Sequence, residues 1–308
     1  MLNQRPIFIN GFSSGGTTIL TNILASHPEV CTLSEIHHLF KGDSLTDTAL
    51  GVLSRCVFYD APAIALTGQD FFSPRLIKPR KRLSATAKRF IDRVLYREKM
   101  RSRNVFLNRF KHQGIEYSHE ELIASRIVGK NVDGMIFTSE TLAEMYPDAT
   151  FINLLRNGLA LCESHQRKNR SAREIGIRYR VLGRKMWEDA QHFSQHRFIH
   201  FEDLMQDPVP SIQQIYEHAG LDIDKLRDVR MQIRRVIDAD GNHRLSGGSE
   251  WQVVWSDLEG LATHFQKDVN RNQIKRLSGA DRDAFLKEAG ETMEILGYST
   301  AITKCEAA

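Results

Sequence analysis

Gly11, Gly15 and Gly16, followed at once by Thr17 and Thr18, make a stretch whose residue types suit the binding of a phosphate-sized anion. Small residues let the backbone curl until several N–H groups face one point. A helix beginning there adds the positive end of its dipole. The spacing Gly11-x4-Gly16 is that of loops that hold nucleoside triphosphates, but Thr17-Thr18 stands where Lys-[Ser/Thr] is required. Without that lysine the β- and γ-phosphates lose their main cation, so an ATPase, a GTPase or a P-loop kinase is disfavoured. What remains is a phosphate held by backbone and two hydroxyls, or an ordinary turn between a strand and a helix.

The elements around this loop read as strand and helix in alternation. Pro6 to Asn10 is a short apolar run, the mark of a buried parallel strand. From Thr17 the period changes, and Ile19, Leu20, Ile23 and Leu24 share one helical face until His27-Pro28 ends it. Arg126 to Lys130 and Thr150 to Leu155 read as further strands, the second running into Arg156 and then a helix that carries Ser164. Ile175, Tyr179, Leu182, Met186 and Ala190 predict a long amphipathic helix over roughly Ala172 to His192. Arg197 to Asp207 is expected as a strand and turn, with Asp207 as N-cap of a helix that begins at Pro208 and ends at Gly220. A last helix from about Asp281 stops at Gly297.

This alternation predicts an α/β, P-loop-like three-layer fold with a central parallel sheet of about five strands flanked by helices. One domain over residues 1–308 is expected, with a basic helical insertion at about 41–125. Ligands in such folds sit outside the carboxyl ends of the strands, where the segments at 11–18, 35, 130 and 156 converge.

Pro6-Ile-Phe-Ile-Asn-Gly-Phe-Ser-Ser-Gly-Gly-Thr-Thr18 resembles the 5′-phosphosulfate loop of the sulfotransferases that use 3′-phosphoadenosine 5′-phosphosulfate (PAPS). Gly16, Thr17 and Thr18 match that loop directly. Ser14 falls where the family carries a basic residue, and Gly15 where it carries serine. Ser26-His-Pro-Glu-Val30 is similar to a segment of the tyrosylprotein and carbohydrate branches that leads to a catalytic glutamate. Glu35, twenty-one residues after Ser14, stands at the matching place, with His37 and His38 as alternates. Lys130-Asn-Val-Asp133 resembles an element at the end of a central strand, which makes Lys130 the candidate for the charge that Ser14 lacks. Arg156, followed eight residues later by Ser164, has the spacing that binds the 3′-phosphate in relatives. A planar guanidinium fork suits that task, and Arg167 and Lys168 could add charge one turn on. Phe201-Glu-Asp-Leu-Met-Gln-Asp-Pro208 is similar to a further family element, assigned to the fold alone. Asn242 to Trp251, with Arg244, Gly247 and Gly248, resembles a loose version of a C-terminal loop that closes over the nucleotide.

The resemblance implies transfer of the sulfuryl group of PAPS to a hydroxyl, with an amine as second choice, on a small-molecule, carbohydrate or peptide acceptor. Glu35 is the implied base; Lys130 and the loop stabilise the leaving phosphate, and no metal is needed. A sulfotransferase-like nucleotide-binding protein that has lost catalysis, along with the cation at position 14, is the alternative from another class.

Composition sets wider bounds. The chain has 42 Lys+Arg against 38 Asp+Glu, a formal charge of +4, which suits an anionic ligand without demanding one. The densest basic run, Lys78-Pro-Arg-Lys-Arg82, lies in a stretch from Arg75 to Lys111 that reads either as a docking face for a polyanion or, preferably, as the solvated face of covering helices. No nucleic-acid-binding motif is found. Cys31, Cys56, Cys162 and Cys305 are scattered, with no metal-ligand spacing, and no apolar run is long enough to cross a bilayer. A reduced, cytoplasmic setting is expected from these features.

Overall fold

The computed structural model describes residues 5–35, 83–101, 117–233, 235–237, 243–245 and 252–300, with residues 2, 49 and 53. Five strands form one parallel sheet: β1 (Ile7–Gly11), β2 (Val30–Glu35), β3 (Arg126–Val132), β4 (Thr150–Leu155) and β5 (His196–His200), in the order β2-β3-β1-β4-β5. Buried on both faces, β1 is the central strand, and the chain reverses its direction of travel across the sheet there. Successive β1 side chains alternate between the two layers, as the pleat requires. Ile7 and Ile9 pack with Leu20, Ile23 and Leu24 of α1 (Thr17–Ala25), while Phe8 faces Phe151 at 5.2 Å between ring centroids.

The other helices cover the sheet in two layers. On the Phe8 side, Ile91, Val94 and Leu95 of α2 (Ala85–Arg101) join Leu122 of α3 (His119–Ala124) and Leu142 of α4 (Ser139–Met145). Lys99 of α2 is buried and donates to the carbonyls of Ile123 and Ser125, so this part of the basic stretch packs as a covering helix. A third cluster joins α5 (Gly158–Gln166), α6 (Ala172–His192) and α10 (Gly279–Ile295, numbered after the helices that follow). A Cβ at Gly176 of α6 would lie 2.8 Å from the Phe285 carbonyl oxygen, so glycine there sets how closely α10 approaches.

Several boundaries follow from local chemistry. Ser171 and Glu174 form a reciprocal capping box at the start of α6. Gly220 (φ 62°) ends α8 (Pro208–Ala219), and Gly297 (φ 85°) follows α10, both left-handed. Two expectations are corrected. Phe201–Gln206 is a helix, α7, in place of a turn, because Leu204 and Met205 bury themselves in the α1 layer. Asp207 precedes α8 without capping it through its side chain; its carbonyl instead accepts from the Ser211 hydroxyl. The C-terminal region carries short antiparallel pairs, β6 (Val229–Ile233) with β9 (Gln252–Ser256) and β7 (Arg235–Ile237) with β8 (His243–Leu245). The last described helix before α10 is α9 (Val269–Ile274).

Across β3, β1, β4 and β5 runs a row of buried amides. Asn131 donates to Asn10 at 3.0 Å, Asn10 to Asn153 at 2.8 Å, and Asn153 contacts His196 at 3.3 Å. Register explains the row: Asn10 pairs with Asn131 on one side and Asn153 on the other. Asn131 and Asn10 each donate to the next amide in the row, and a one-residue slip of any of these strands would break that chain and strand polar groups in the core.

The turn from β1 into α1 depends on Gly16, whose φ of 93° is left-handed and whose absent Cβ would lie 2.4 Å from the Phe201 ring. Gly16→Ala is therefore expected to lower stability by about 1–3 kcal/mol, read as a lower urea midpoint at unchanged m-value. An unchanged midpoint would contradict this account of the turn.

Candidate functional site

The loop between β1 and α1 is held from outside by four elements. Its Ser13 N–H donates to Asp133 Oδ1 at 3.0 Å, just beyond the end of β3. The Ser13 carbonyl accepts from His165 Nε2 of α5 at 2.9 Å, and the Ser14 carbonyl from Arg156 Nη1, at the end of β4, at 2.5 Å. Lys168 Nζ donates to Ser14 Oγ at 2.9 Å. Within the loop, Gly15 N–H closes on the Phe12 carbonyl at 2.9 Å, and the Phe12 ring stacks on Tyr179 of α6 at 4.7 Å.

These contacts leave the amides after Gly15 open. Among the described residues, the N–H groups of Gly16, Thr17 and Thr18 have no acceptor; the Gly16 carbonyl already accepts from Ile19 and Leu20. Three successive amides stand at the start of a nine-residue helix, beside the Thr18 hydroxyl, an arrangement of donors chemically suited to an anion. Lys130 Nζ, on a fully buried side chain, lies 3.4 Å from Thr18 Oγ1. The Cα of Glu35 pairs with that of Lys130 where β2 ends, so both stand at the carboxyl edge of the sheet. The segments at 11–18, 35, 130 and 156 thus meet at one end of the fold.

Arg156 is 6 % exposed and donates three hydrogen bonds to protein oxygens. Nε donates to Asn270 Oδ1 at 3.0 Å and Nη2 to Gln273 Oε1 at 2.6 Å, both on α9, and the guanidinium carbon lies 4.4 Å over the Phe201 ring. Burial holds its pKa down to about 10, with Glu202 pulling the other way, so it stays charged at neutral pH. Glu202 of α7 organises this corner. It accepts from the Asn157 N–H at 2.9 Å, from the Asn270 amide and from the Tyr298 hydroxyl at 2.9 Å. Ser164 is half-buried on α5, its hydroxyl with no hydrogen bond among the described residues. Arg244 lies in β8, its Cα paired with that of Val236; Gly247, Gly248, His37 and His38 fall outside the described residues.

Sequence reasoning did not single out Asp133, His165, Asn270, Gln273 or Glu202 as parts of this site. Asp133 (φ 56°) is left-handed, a conformation that aspartate tolerates better than most residues. Its other oxygen pairs with Arg178 of α6, and both side chains are buried. An aspartate just past a strand end was a local signal. The partners on α5 and α9 carried none, because only the folded chain brings them to the loop.

The His165 contact makes stability depend on pH. Desolvation holds this histidine down to about 4; the Ser13 carbonyl opposes that, and Arg178, Lys168 and Arg170 reinforce it. Below its unfolded value of 6.5 the unfolded chain takes up a proton that the native one refuses. Stability therefore falls as pH drops from 6.5 towards 4, then levels for this group. The loss between pH 7 and 5 is about 2 kcal/mol. His165→Gln keeps a donor for Ser13 and is expected to remove that share, measured by urea unfolding at both pH values. An equal loss in both proteins would contradict the assignment.

A family model described as the Sulfotransferase family matches residues 6–225, a span that holds the loop, Glu35, Lys130, Arg156 and Ser164. Among solved structures, the sulfotransferase domain of the Synechococcus PCC 7002 olefin synthase is similar over 96 % of this chain and 95 % of its own, with 15 % identity and a TM-score of 0.50. The sulfotransferase domain from the curacin biosynthetic pathway covers 97 % and 99 %, with 14 % identity and a TM-score of 0.49. A sulfotransferase from Alicyclobacillus acidocaldarius covers 99 % of each chain, with 16 % identity and a TM-score of 0.45. None of the curated proteins matches the chain. With a family match over most of its length, the chain belongs to the sulfotransferase family.

Proposed function

We propose that this protein transfers the sulfuryl group of PAPS to a hydroxyl of a small-molecule, carbohydrate or peptide acceptor, with an amine as the second choice. The observation that carries the reading is the run of unpaired amides at Gly16, Thr17 and Thr18, with the Lys130 ammonium beside Thr18. Gly16, left-handed and packed against the Phe201 ring, lets the chain turn so tightly that these amides follow one another at the start of α1. Arg156 spends three of its donors on protein oxygens; the two others of a guanidinium's five, with the Ser164 hydroxyl, would hold the 3′-phosphate. Arg244, Gly247 and Gly248 would close over that end.

PAPS supplies a sulfuryl group already joined to a phosphate leaving group. The chain's task is to position it, accept a proton and balance charge. Glu35, at the edge of the sheet opposite Lys130, takes the proton of the acceptor hydroxyl as its oxygen bonds to sulfur. The loop amides, the Thr17 and Thr18 hydroxyls and Lys130 receive the electron pair's charge on the departing phosphate oxygen. The basis for this assignment is the family membership together with the convergence of these residues at one edge.

Calorimetry with adenosine 3′,5′-bisphosphate and with ATP tests the nucleotide, and transfer from radiolabelled PAPS to a cell extract tests the reaction. Binding of the bisphosphate without ATP, and labelled product, are expected. Equal binding of ATP would overturn the reading, and bisphosphate binding without transfer would favour a binding protein. Glu35→Gln should keep bisphosphate affinity and lose about 10²–10⁴-fold in turnover; unchanged turnover would remove Glu35 as the base.

A further inference from the structure

Residues 11–18 carry no charged side chain, so the end of the loop opposite Thr18 must draw its positive charge from elsewhere. Amides alone are dipoles, and a leaving phosphate that gains charge is better stabilised by a full cation nearby. Of the cations near Ser14, Arg178 is paired with Asp133, and Arg156 is committed to the Ser14 carbonyl and α9. Lys168 differs. Its Nζ rests on Ser14 Oγ, a neutral oxygen, and among the described residues no carboxylate lies within ion-pair distance of it.

The fold builds this contact. His165, in the last turn of α5, and Lys168, two residues past its end, grip the consecutive loop residues Ser13 and Ser14. The helix ends there in a tight turn: Lys168 N–H closes on the His165 carbonyl at 2.9 Å, and Asn169 is left-handed at φ 60°. Desolvation lowers the Lys168 pKa; Asp133 opposes this, and Arg170, Arg178 and Arg167 add to it.

We propose that Lys168 supplies, from the turn after α5, the positive charge that residue 14 of the loop lacks, and that it acts on the 5′-phosphosulfate end of the donor. This rests on the sulfuryl-transfer reading above. It assigns two cations to that end, Lys130 on the Thr18 side and Lys168 on the Ser14 side. Ser14 already sits at φ 63°, so a lysine placed there meets a left-handed backbone that a non-glycine residue occupies now.

The test moves the charge. Binding of adenosine 3′,5′-bisphosphate and of adenosine 3′-monophosphate, which lacks the 5′-phosphate, is measured by calorimetry for the wild type, Lys168→Met, Lys168→Arg and the double variant Ser14→Lys/Lys168→Met. Lys168→Met is expected to weaken the bisphosphate at least tenfold and the monophosphate less than twofold. Lys168→Arg should keep most of the affinity, and the double variant should regain it. Unchanged bisphosphate affinity in Lys168→Met, or an equal loss for both nucleotides, overturns the proposal. Wild-type protein that binds neither nucleotide defeats the sulfuryl-transfer reading itself, whereas wild-type binding with an unaffected Lys168→Met defeats the lysine assignment alone.

Discussion

A loop can offer unpaired amides to an anion only if other interactions fix its shape. Here that constraint is met by backbone groups of Ser13 and Ser14, each taken by a different part of the chain. Asp133 holds the Ser13 amide, His165 its carbonyl, and Arg156 the carbonyl of Ser14. Asp133 can do this because Arg178 balances its buried charge. Removing one member of such a pair costs far more than the pair contributes, since the survivor stays buried and uncompensated. The shape of the loop therefore rests on β3, α5, α6 and the end of β4 together, while among the described residues the amides of Gly16 to Thr18 have no acceptor.

The same economy of contacts ties the loop to the C-terminal part of the chain. Arg156 reaches from the Ser14 carbonyl to Asn270 and Gln273 on α9, and Glu202 orients Asn270 while receiving the Tyr298 hydroxyl. Phe201 lies beneath both Gly16 and the guanidinium. Residues beyond the family match thus complete the packing around an arginine within it. The amide row through Asn131, Asn10 and Asn153 locks the register of the strands whose ends carry Lys130, the loop and Arg156. Register and site geometry are linked through those three asparagines.

Much of this was legible in the sequence wherever the cause is local. The apolar runs at Ile7 and Thr150 gave the strands, the stripe from Ile175 to Met186 gave α6, and Gly220 and Gly297 marked helix ends because only small left-handed residues end helices so cheaply. The order of the motifs also put Lys130 and Arg156 at strand ends. Illegible were the contacts that need the whole fold. Ser14 and Lys168 are separated by 154 residues, and Arg156 and Gln273 by 117, with no spacing rule to connect them. The helix Phe201–Gln206 escaped for a different reason: six residues are too few for a period to declare itself, and burial against α1 decides their form.

The central claim is that a clamped loop presents the amides of Gly16, Thr17 and Thr18 to the 5′-phosphate end of a nucleotide. An NMR titration with adenosine 3′,5′-bisphosphate reads it most directly. The account predicts that those three amide resonances shift strongly, while the Ser13 amide, already bonded to Asp133, moves little. Saturating nucleotide that leaves all three unmoved, with the largest shifts elsewhere on the molecule, would contradict it.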